Sequence, residues 1–189
     1  MVLIMIIHKG TQAIRTARLY LRRYELEDIN DIYKNYATDE RVTKFLSWRP
    51  YENIESLERF VASQISSYSE NVYNWVIEYR QQVVGSISVI QADEKNKSCE
   101  LGYCIGYEFW NMGITSEALS AVLRYLFLEI GYHRIYAKHD VENPASGKVM
   151  QKCNMIYEGK LREHYLRPDG TFSDSLVYSI LKEEFGGTV

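Results

Sequence analysis

The chain has 189 residues and a net charge of −3; 46% of its residues are hydrophobic and 25% are charged. This composition is typical of a folded globular protein and excludes a mostly disordered chain. It also excludes a strongly basic protein, so we predict no direct nucleic-acid partner. Because no linker, repeat or low-complexity segment is visible, we interpret residues 1–189 as a single domain.

The cysteines and the N-terminus bear on the cellular compartment. Cys99, Cys104 and Cys153 are odd in number and lack CxxC spacing, which predicts neither a disulfide framework nor a zinc site. We therefore expect no metal and a reducing compartment, which favours a cytoplasmic location. The apolar run Met1–Ile7 is too short to span a bilayer and has no basic leading region. We interpret residues 1–9 as part of the fold or as a frayed end, and predict no membrane partner.

Hydrophobic periodicity predicts the element order βααβββαβαββ, a mixed α/β fold with a largely antiparallel first half. The first half comprises a strand, two helices and three strands: Leu19–Tyr24, Glu27–Tyr36, a helix capped by Asn53, Val72–Tyr79, Gln82–Gln91 and Ser98–Ile105. The second half comprises a helix, a strand, a short helix and two strands: Ile114–Ile130, His133–Lys138, a helix that starts at Asn143-Pro144, Ile156–Leu166 and Ser173–Leu181. A Pro168-Asp169-Gly170 turn joins the last two strands.

The junction between the strand ending at Ile105 and the helix beginning at Ile114 is a tight turn that contains Gly113. The first turn of a helix has unpaired backbone N–H groups and the positive end of the helix dipole, so this turn is able to hold a phosphate. Glycine at position 113 would let the backbone approach the ligand without a side chain in the way. By itself, a strand–glycine–helix turn is more often only a connection.

A longer pattern surrounds this turn, since residues 101–119 read LGYCIGYEFWNMGITSEAL. Further stretches accompany it: TARLYLR at 16–22, NPAS at 143–146, GKLRE at 159–163 and FSD at 172–174. Together these stretches resemble the GCN5-related N-acetyltransferases, the GNAT superfamily, in their order and spacing from about residue 10 to the end. The resemblance is closest to the branch that acetylates the N-termini of ribosomal proteins, the RimJ and RimL type.

The resemblance implies a GNAT-like α/β fold, in which a mixed, mostly antiparallel sheet with splayed central parallel strands is flanked by helices. It implies an enzyme that moves an acetyl group from acetyl-CoA, the acyl donor, to a primary amine. Ile105 would then pair with the pantetheine arm of the donor, Asn143 would contact that arm, and Ser146 would protonate the departing thiolate. The pyrophosphate would meet the backbone amides of Asn111, Met112, Gly113, Ile114 and Thr115.

The phosphate loop departs from the family's pattern at its outer positions. The family usually has Gln or Arg at the first position and Gly or Ala at the last, where this chain has Trp110 and Thr115; only Gly113 is kept. The loop binds mainly through backbone N–H groups, so the substitutions need not abolish binding. We expect them to weaken it.

Acetyl transfer requires a neutral amine, donors for the developing oxyanion and a proton source for the departing sulfur. Two carboxylates are candidates for the base that takes the proton from the amine. Glu100 lies in an otherwise apolar strand that contains Tyr103. Glu163 lies where similar transferases often have Glu or Gln, so it either takes the proton or only orients the substrate. Strand alternation places His164 on the opposite face, so we interpret it as structural. Trp48 and Tyr51, in the loop between the first two helices, either line the acceptor cleft or form a hydrophobic cover.

Several of these residues also have purely structural explanations. Ser146 is equally explained as a helix-start residue, Glu100 as an ordinary strand residue and Cys104 as a buried thiol without a chemical role. The predicted acceptor is a protein N-terminal α-amine, and a small amine such as a polyamine or an antibiotic is the alternative. A non-catalytic acyl-CoA-binding module is a third hypothesis, from another class. The chain would act as a monomer or a homodimer.

Overall fold

In the computed structural model, which describes residues 6–167 and 169–186, one open sheet contains eight strands. They are β1 (Ile14–Arg15), β2 (Leu19–Arg22), β3 (Asn74–Tyr79), β4 (Gln82–Asp93), β5 (Ser98–Ile105), β6 (Arg134–Asp140), β7 (Ile156–Leu166) and β8 (Phe172–Leu181). Their order in the sheet is β1-β2-β3-β4-β5-β6-β8-β7. Neighbouring strands are antiparallel except β5 and β6, which are parallel. A mostly antiparallel sheet of this kind belongs to the mixed α/β fold that the sequence predicts.

Six α-helices accompany the sheet within the described ranges: α1 (Ile29–Ile32), α2 (Glu40–Thr43), α3 (Ile54–Ser67), α4 (Ile114–Tyr125), α5 (Pro144–Lys152) and α6 (Lys182–Phe185). Two π-helical turns, Tyr33–Ala37 and Leu126–Ile130, extend α1 and α4. Periodicity does not predict β1, α2 or α6, because each is only two to four residues long. None of the helices in this part of the chain is long and apolar enough to cross a membrane.

Turn and cap residues explain where several elements begin and end. Arg80 and Gln81 have φ angles of 51° and 64° and form the two-residue turn between β3 and β4. Positive φ at both central residues is the requirement of the type I′ turn, one of the two usual turns in two-residue hairpin loops. The side chain of Asn53 accepts a hydrogen bond from the N–H of Ser56 at 2.9 Å and so begins α3. Gly131, with a φ of 94°, ends the helical segment after α4.

Two segments, the N-terminal apolar run and the predicted last turn, are only partly described. The N-terminal apolar run is described from residue 6 onward, where the N–H of Ile7 donates to the carbonyl of Ile130 at 2.9 Å. Pro168 of the predicted last turn lies outside the described residues. The N–H of Gly170 donates to the carbonyl of Arg167 at 2.9 Å, and β7 and β8 pair as a hairpin on either side.

Helices cover both faces of the sheet and create two apolar layers. On one face α4 buries Leu119 and Val122 in a cluster that includes Trp75 of β3. On the other face α3 buries Leu57 and Val61. Fully burying one such Leu or Val side chain stabilises the fold by about 1.5–3 kcal/mol. This packing fixes the rotation of α4 about its axis and therefore the position of its N-terminus.

The parallel strands β5 and β6 separate along their length. Their pairing runs from Ser98 opposite Arg134 to Leu101 opposite Ala137, where it stops. The remaining residues of β5, Gly102–Ile105, stay paired with β4. A gap therefore opens between β5 and β6 at the ends from which the chain continues to α4 and α5. This is the splayed central pair that the resemblance implies.

Candidate active site

Two cavities meet in the gap between β5 and β6. The first, of about 310 Å³, lies at the N-terminus of α4. The second, of about 330 Å³, lies beside Glu100 of β5 and Lys138 of β6. Four residues with polar or reactive side chains line both cavities: Tyr103, Cys104, Asn143 and Ser146. Two molecules bound in the two cavities would therefore meet at these residues.

The turn before α4 forms one wall of the first cavity. Asn111, Gly113, Ile114 and Thr115 line this wall, and Ile105 lines the cavity from the end of β5. Asn111 and Gly113 have φ angles of 61° and 74°, so two left-handed residues lead the chain into the helix. Because α4 begins at Ile114, the N–H groups of its first turn have no partner within the helix. The wall thus combines backbone donors with the positive end of the helix dipole.

Glycine is needed at position 113 for a reason that differs from the predicted one. The closest non-neighbouring atom to a Cβ built there is Nη2 of Arg18, at 3.5 Å, so a side chain would point toward Arg18 and not into the cavity. The φ of 74° is what favours glycine, because residues with a Cβ rarely adopt it. Met112, whose backbone amide is predicted to meet the pyrophosphate, is 40% exposed and is not among the residues that line the cavity.

Trp110 has a structural function in the loop. Its indole N–H donates to the carbonyl of Ile105 at 3.0 Å, and its ring lies 4.9 Å from that of Tyr107. The guanidinium of Arg41 in turn lies 3.6 Å from the centroid of the Tyr107 ring. The indole bond occupies one of the two acceptor positions of the Ile105 carbonyl. Trp110 therefore fixes the end of β5 where the resemblance places the pantetheine arm.

Ser146 lies in the first turn of α5, at the junction of the two cavities. Asn143 caps this helix, because its Oδ1 and its carbonyl lie 3.4 Å and 3.2 Å from the N–H nitrogen of Ser146. The hydroxyl of Tyr103 donates to the carbonyl of Ser146 at 3.1 Å and lies 2.9 Å from its Oγ. Burial raises the pKa of Tyr103 well above its ordinary value. The phenol is therefore protonated and is able to donate at neutral pH.

The second cavity contains a chain of polar side chains that starts at Glu100. The Nζ of Lys138 lies 3.0 Å from the Glu100 carboxylate and 3.5 Å from Nε2 of His164. The Nδ1 of His164 lies 3.1 Å from the hydroxyl of Ser175. Glu100 is buried, with 5% of its surface exposed. It was expected among apolar groups and tyrosines, but its immediate partner is an ammonium group.

Glu163 is not brought together with the other candidate residues. It is exposed and lines neither cavity, and its N–H donates to Asp174 at 2.8 Å. The pairing of β7 with β8 shifts register between Leu161 and Tyr165, and Glu163 has a φ of 47° inside this bulge. His164 lines the second cavity instead. The interpretation of His164 as a structural residue on the opposite face does not predict that it lines a cavity.

The two aromatic residues predicted for the acceptor cleft occupy different places. Trp48 lines the second cavity, whereas Tyr51 lines neither. The ring of Tyr51 lies 5.7 Å from that of Trp48 and 6.1 Å from that of Phe60. Tyr51 therefore supports the wall from behind.

Cys104 lines both cavities, and its Sγ lies 3.4 Å from the hydroxyl of Ser86. Burial raises the pKa of the Cys104 thiol, which keeps it protonated and poorly nucleophilic. This agrees with the interpretation of Cys104 as a thiol without a chemical role. Among the residues that the structure describes, no group of three or more His, Cys, Asp or Glu side chains is arranged to hold a metal ion.

Sequence reasoning missed Tyr103 and Lys138. Tyr103 is one of 16 tyrosines, so its residue type carried no signal. Lys138 lies on the strand parallel to that of Glu100, but sequence alone does not show that the two side chains approach within 3.0 Å. The useful signal for Tyr103 was its position in the strand that leads into the phosphate loop.

Comparison with known proteins agrees with this geometry. The sequence model of the acetyltransferase (GNAT) domain matches residues 18–156, a region that contains the phosphate loop, Asn143 and Ser146. An uncharacterised N-acetyltransferase of Bacillus licheniformis, p20, is 31% identical over 180 residues, which cover 93% of this chain and 99% of the relative. The crystal structure of a GNAT-family acetyltransferase from Bacillus anthracis is 27% identical, with a TM-score of 0.80 over 92% of this chain and 100% of that one.

A further relative matches more locally. The [ribosomal protein uS5]-alanine N-acetyltransferase of Escherichia coli (strain K12) is 32% identical over 83 residues, which are 44% of this chain and 42% of the relative. The family match spans most of the chain, and relatives of nearly the same length are N-acetyltransferases. The chain therefore belongs to the GNAT family of acetyltransferases and is an N-acetyltransferase.

Proposed function

We propose that the protein transfers the acetyl group of acetyl-CoA to the α-amine of a protein N-terminus. One observation supports this most directly: the cavity at the phosphate loop and the cavity beside Glu100 meet at Tyr103 and Ser146. Acetyl-CoA in the first cavity would have its thioester at the junction, and an amine in the second cavity would approach the same point. Holding two reactants in this geometry supplies a large part of the acceleration.

The proton transfers are assigned to three side chains. The amine nitrogen attacks the thioester carbonyl, and the C–S bond breaks as the sulfur takes a proton from the hydroxyl of Ser146. Ser146 is reprotonated through Tyr103, whose hydroxyl lies 2.9 Å from Ser146 Oγ and which takes a proton from solvent as it gives one up. The proton of the amine passes to Glu100, directly or through water, and from there to solvent. We prefer Glu100 to Glu163 because only Glu100 lines the second cavity.

The charge balance of the second cavity favours an α-amine over a polyamine or an amino-group antibiotic. Of the two carboxylates that line it, Glu100 is paired with Lys138 at 3.0 Å and Asp140 with Arg167 at 2.7 Å. Neither is left to attract a multiply charged cation. An α-amine has a pKa of about 7.7–8.0, so roughly a tenth of it is neutral at pH 7, against well under a thousandth of a lysine side chain. It therefore needs less help from a base.

The named activity of the Escherichia coli relative suggests which N-terminus to test first. That enzyme acts on the alanine of ribosomal protein uS5, and its likeness to this chain is local. We propose a ribosomal-protein N-terminus as the acceptor and, with it, a cytoplasmic location.

The experiment measures thiol release from acetyl-CoA with matched acceptors. The first is a lysine-free peptide that begins with alanine, and the second is the same peptide with a blocked N-terminus and one added lysine. Spermidine and an aminoglycoside complete the panel. We expect the highest kcat/KM with the free N-terminus, and mass spectrometry should locate one acetyl group on it. A higher kcat/KM with either small amine would contradict the proposed acceptor, and no turnover with any amine would contradict the function.

A further inference from the structure

Arg18, just before β2, contacts the phosphate loop from outside the first cavity. Its Nη1 donates to the carbonyl of Met112 at 3.0 Å, and its Nε donates to the carboxylate of Glu117 at 2.7 Å. The backbone N–H of Arg18 and the hydroxyl of Thr16 donate to the same carboxylate, at 3.0 Å and 2.6 Å. Arg18 therefore joins the residue that precedes Gly113 to the first turn of α4.

The bond to the Met112 carbonyl determines where the N–H of Gly113 points. The described peptide bonds are all trans, and in a planar trans peptide the C=O and N–H groups point in opposite directions. Gly113 lines the first cavity, whereas Arg18 and Met112 do not. Holding the Met112 carbonyl toward Arg18 therefore turns the N–H of Gly113 toward the cavity.

Arg18 also balances a negative charge that would oppose a bound phosphate. Burial alone would raise the pKa of Glu117, but hydrogen bonds from Thr16 and Arg18 outweigh that effect, so the pKa lies below its ordinary value. Glu117 is therefore ionised at neutral pH, in the first turn of the helix that faces the cavity. The adjacent guanidinium compensates this charge, which leaves the positive end of the α4 dipole available to an anion.

We propose that Arg18 is a positioning residue for the pyrophosphate of the acyl donor. It orients the Gly113 N–H and neutralises Glu117 without itself lining the cavity. The chain has Trp110 where the family's loop usually has Gln or Arg, and Arg18 supports the loop from outside. The inference rests on the proposed use of acetyl-CoA.

The test compares the binding of two ligands, one that contains the pyrophosphate group and one that does not. Coenzyme A has the pyrophosphate and the 3′-phosphoadenosine attached to it, and pantetheine lacks both; calorimetry gives the dissociation constant of each. In Arg18→Met we expect coenzyme A to bind roughly tenfold more weakly, because the Gly113 N–H is no longer held in the direction of the pyrophosphate. Pantetheine binding should be unchanged. Thr16→Val is the control, because it removes a donor to Glu117 and leaves the Met112 contact in place.

A second variant separates orientation from charge. Arg18→Lys keeps the positive charge but has a single ammonium group, which is unable to hold the Met112 carbonyl and the Glu117 carboxylate in a rigid fork. We expect it to recover only a minor part of the lost affinity. Full recovery with lysine would show that charge alone matters and would overturn the inference. Should Arg18→Met not fold, the lysine variant decides, and it must still bind coenzyme A more weakly relative to pantetheine.

The remaining outcomes separate this inference from the proposed function. Equal weakening of both ligands in Arg18→Met would assign Arg18 a general structural role and overturn the inference. Failure of the wild-type protein to bind coenzyme A would instead contradict the proposed donor itself. If the wild-type protein binds coenzyme A while Arg18→Met prefers coenzyme A over pantetheine by the same factor as the wild type, that result would contradict only the function assigned to Arg18.

Discussion

The hydroxyl groups of Tyr103 and Ser146 lie 2.9 Å apart where the two cavities meet. Tyr103 belongs to β5 and Ser146 to α5, so the pair connects two elements that border the gap in the sheet. Because Tyr103 also donates to the Ser146 carbonyl, the proton of the Ser146 hydroxyl is free to point at the tyrosine oxygen or at a leaving thiolate. This geometry supports the proposal that Ser146 gives up a proton and that Tyr103 passes one back to it.

Replacing Ser146 by alanine tests this arrangement. We expect kcat to fall roughly a hundredfold, because the departing sulfur loses its proton source, while the dissociation constant of acetyl-CoA changes little. Tyr103→Phe should lower kcat in the same direction and by a smaller factor. Initial rates of thiol release, together with calorimetry, provide both quantities. A wild-type kcat in Ser146→Ala would reduce Ser146 to a residue that starts α5.

Substitution of Gly113 should weaken donor binding through the backbone. Gly113→Ala forces a residue with a Cβ into a φ of 74°, at a strain of about 1 kcal/mol, and the loop should relax away from its binding geometry. We expect at least a tenfold weaker affinity for acetyl-CoA. Gly170→Ala is the matched control, since Gly170 has a φ of 89° but lies in the exposed turn between β7 and β8. Equal effects of the two variants on acetyl-CoA affinity would argue against the phosphate loop.

The fold was largely readable from the sequence because its signals are local. The helix at 114–130 has apolar residues at helical spacing, and Arg80–Gln81 separates two strands of alternating pattern. The predicted helix Glu27–Tyr36 was less exact: it consists of a 3-10 turn, α1 and the beginning of a π-helical turn. Its Asp28 carboxylate binds Arg22 at 2.7 Å, and this tertiary contact has no signature in periodicity.

The sequence predicted site residues most readily where they lie at the start of a helix or in the loop before one. Asn143, Ser146 and the loop before α4 occupy helix starts, and helix starts can be located in a sequence. Lys138 and His164 reach the second cavity through the pairing of distant strands and through a bulge in β7. Alternation along an ideal strand cannot locate a bulge, and so it placed Glu163 at the site and His164 on the opposite face, whereas in the structure His164 lines the cavity and Glu163 does not.

The ion pair of Asp140 and Arg167 should make stability depend on acid pH. Burial alone would raise the pKa of Asp140, but hydrogen bonds from Arg167 and from the N–H of Glu142 outweigh it, and the pKa lies below its ordinary value. Since the unfolded-state pKa is about 3.9, the stabilisation is fully present above about pH 4 and is lost as the pH falls through the folded-state value.

Arg167→Met should therefore lower the free energy of unfolding by about 2 kcal/mol at pH 7, as expected for charge-assisted hydrogen bonds, and by less at pH 3. Urea denaturation at the two pH values measures both differences. Arg41→Met is the comparison, because Arg41 also forms an ion pair with an aspartate, Asp39, but its side chain is 56% exposed. We expect this variant to change the free energy of unfolding little. An equal loss at both pH values in Arg167→Met would contradict the assignment to Asp140.

The last prediction concerns the base. Glu100→Gln keeps the shape of the side chain but removes its ability to take a proton, and the rate should fall roughly a hundredfold at neutral pH. Activity should partly return as the pH rises, because neutral amine then forms without help from the enzyme. Glu163→Gln is the matched control: the same chemical change at an exposed carboxylate outside both cavities should leave kcat near its wild-type value.

Lys138→Met separates loss of the base from loss of the ion pair, because it removes the partner 3.0 Å away and keeps the Glu100 carboxylate. Glu100→Gln should leave an acidic limb that follows the pKa of the free amine alone, whereas Lys138→Met should shift the wild-type limb or raise the acceptor KM. A greater loss in Glu163→Gln than in Glu100→Gln would exchange the roles of the two carboxylates. If both Gln variants keep the wild-type profile, solvent takes the proton, and catalysis rests on the placement of the two reactants.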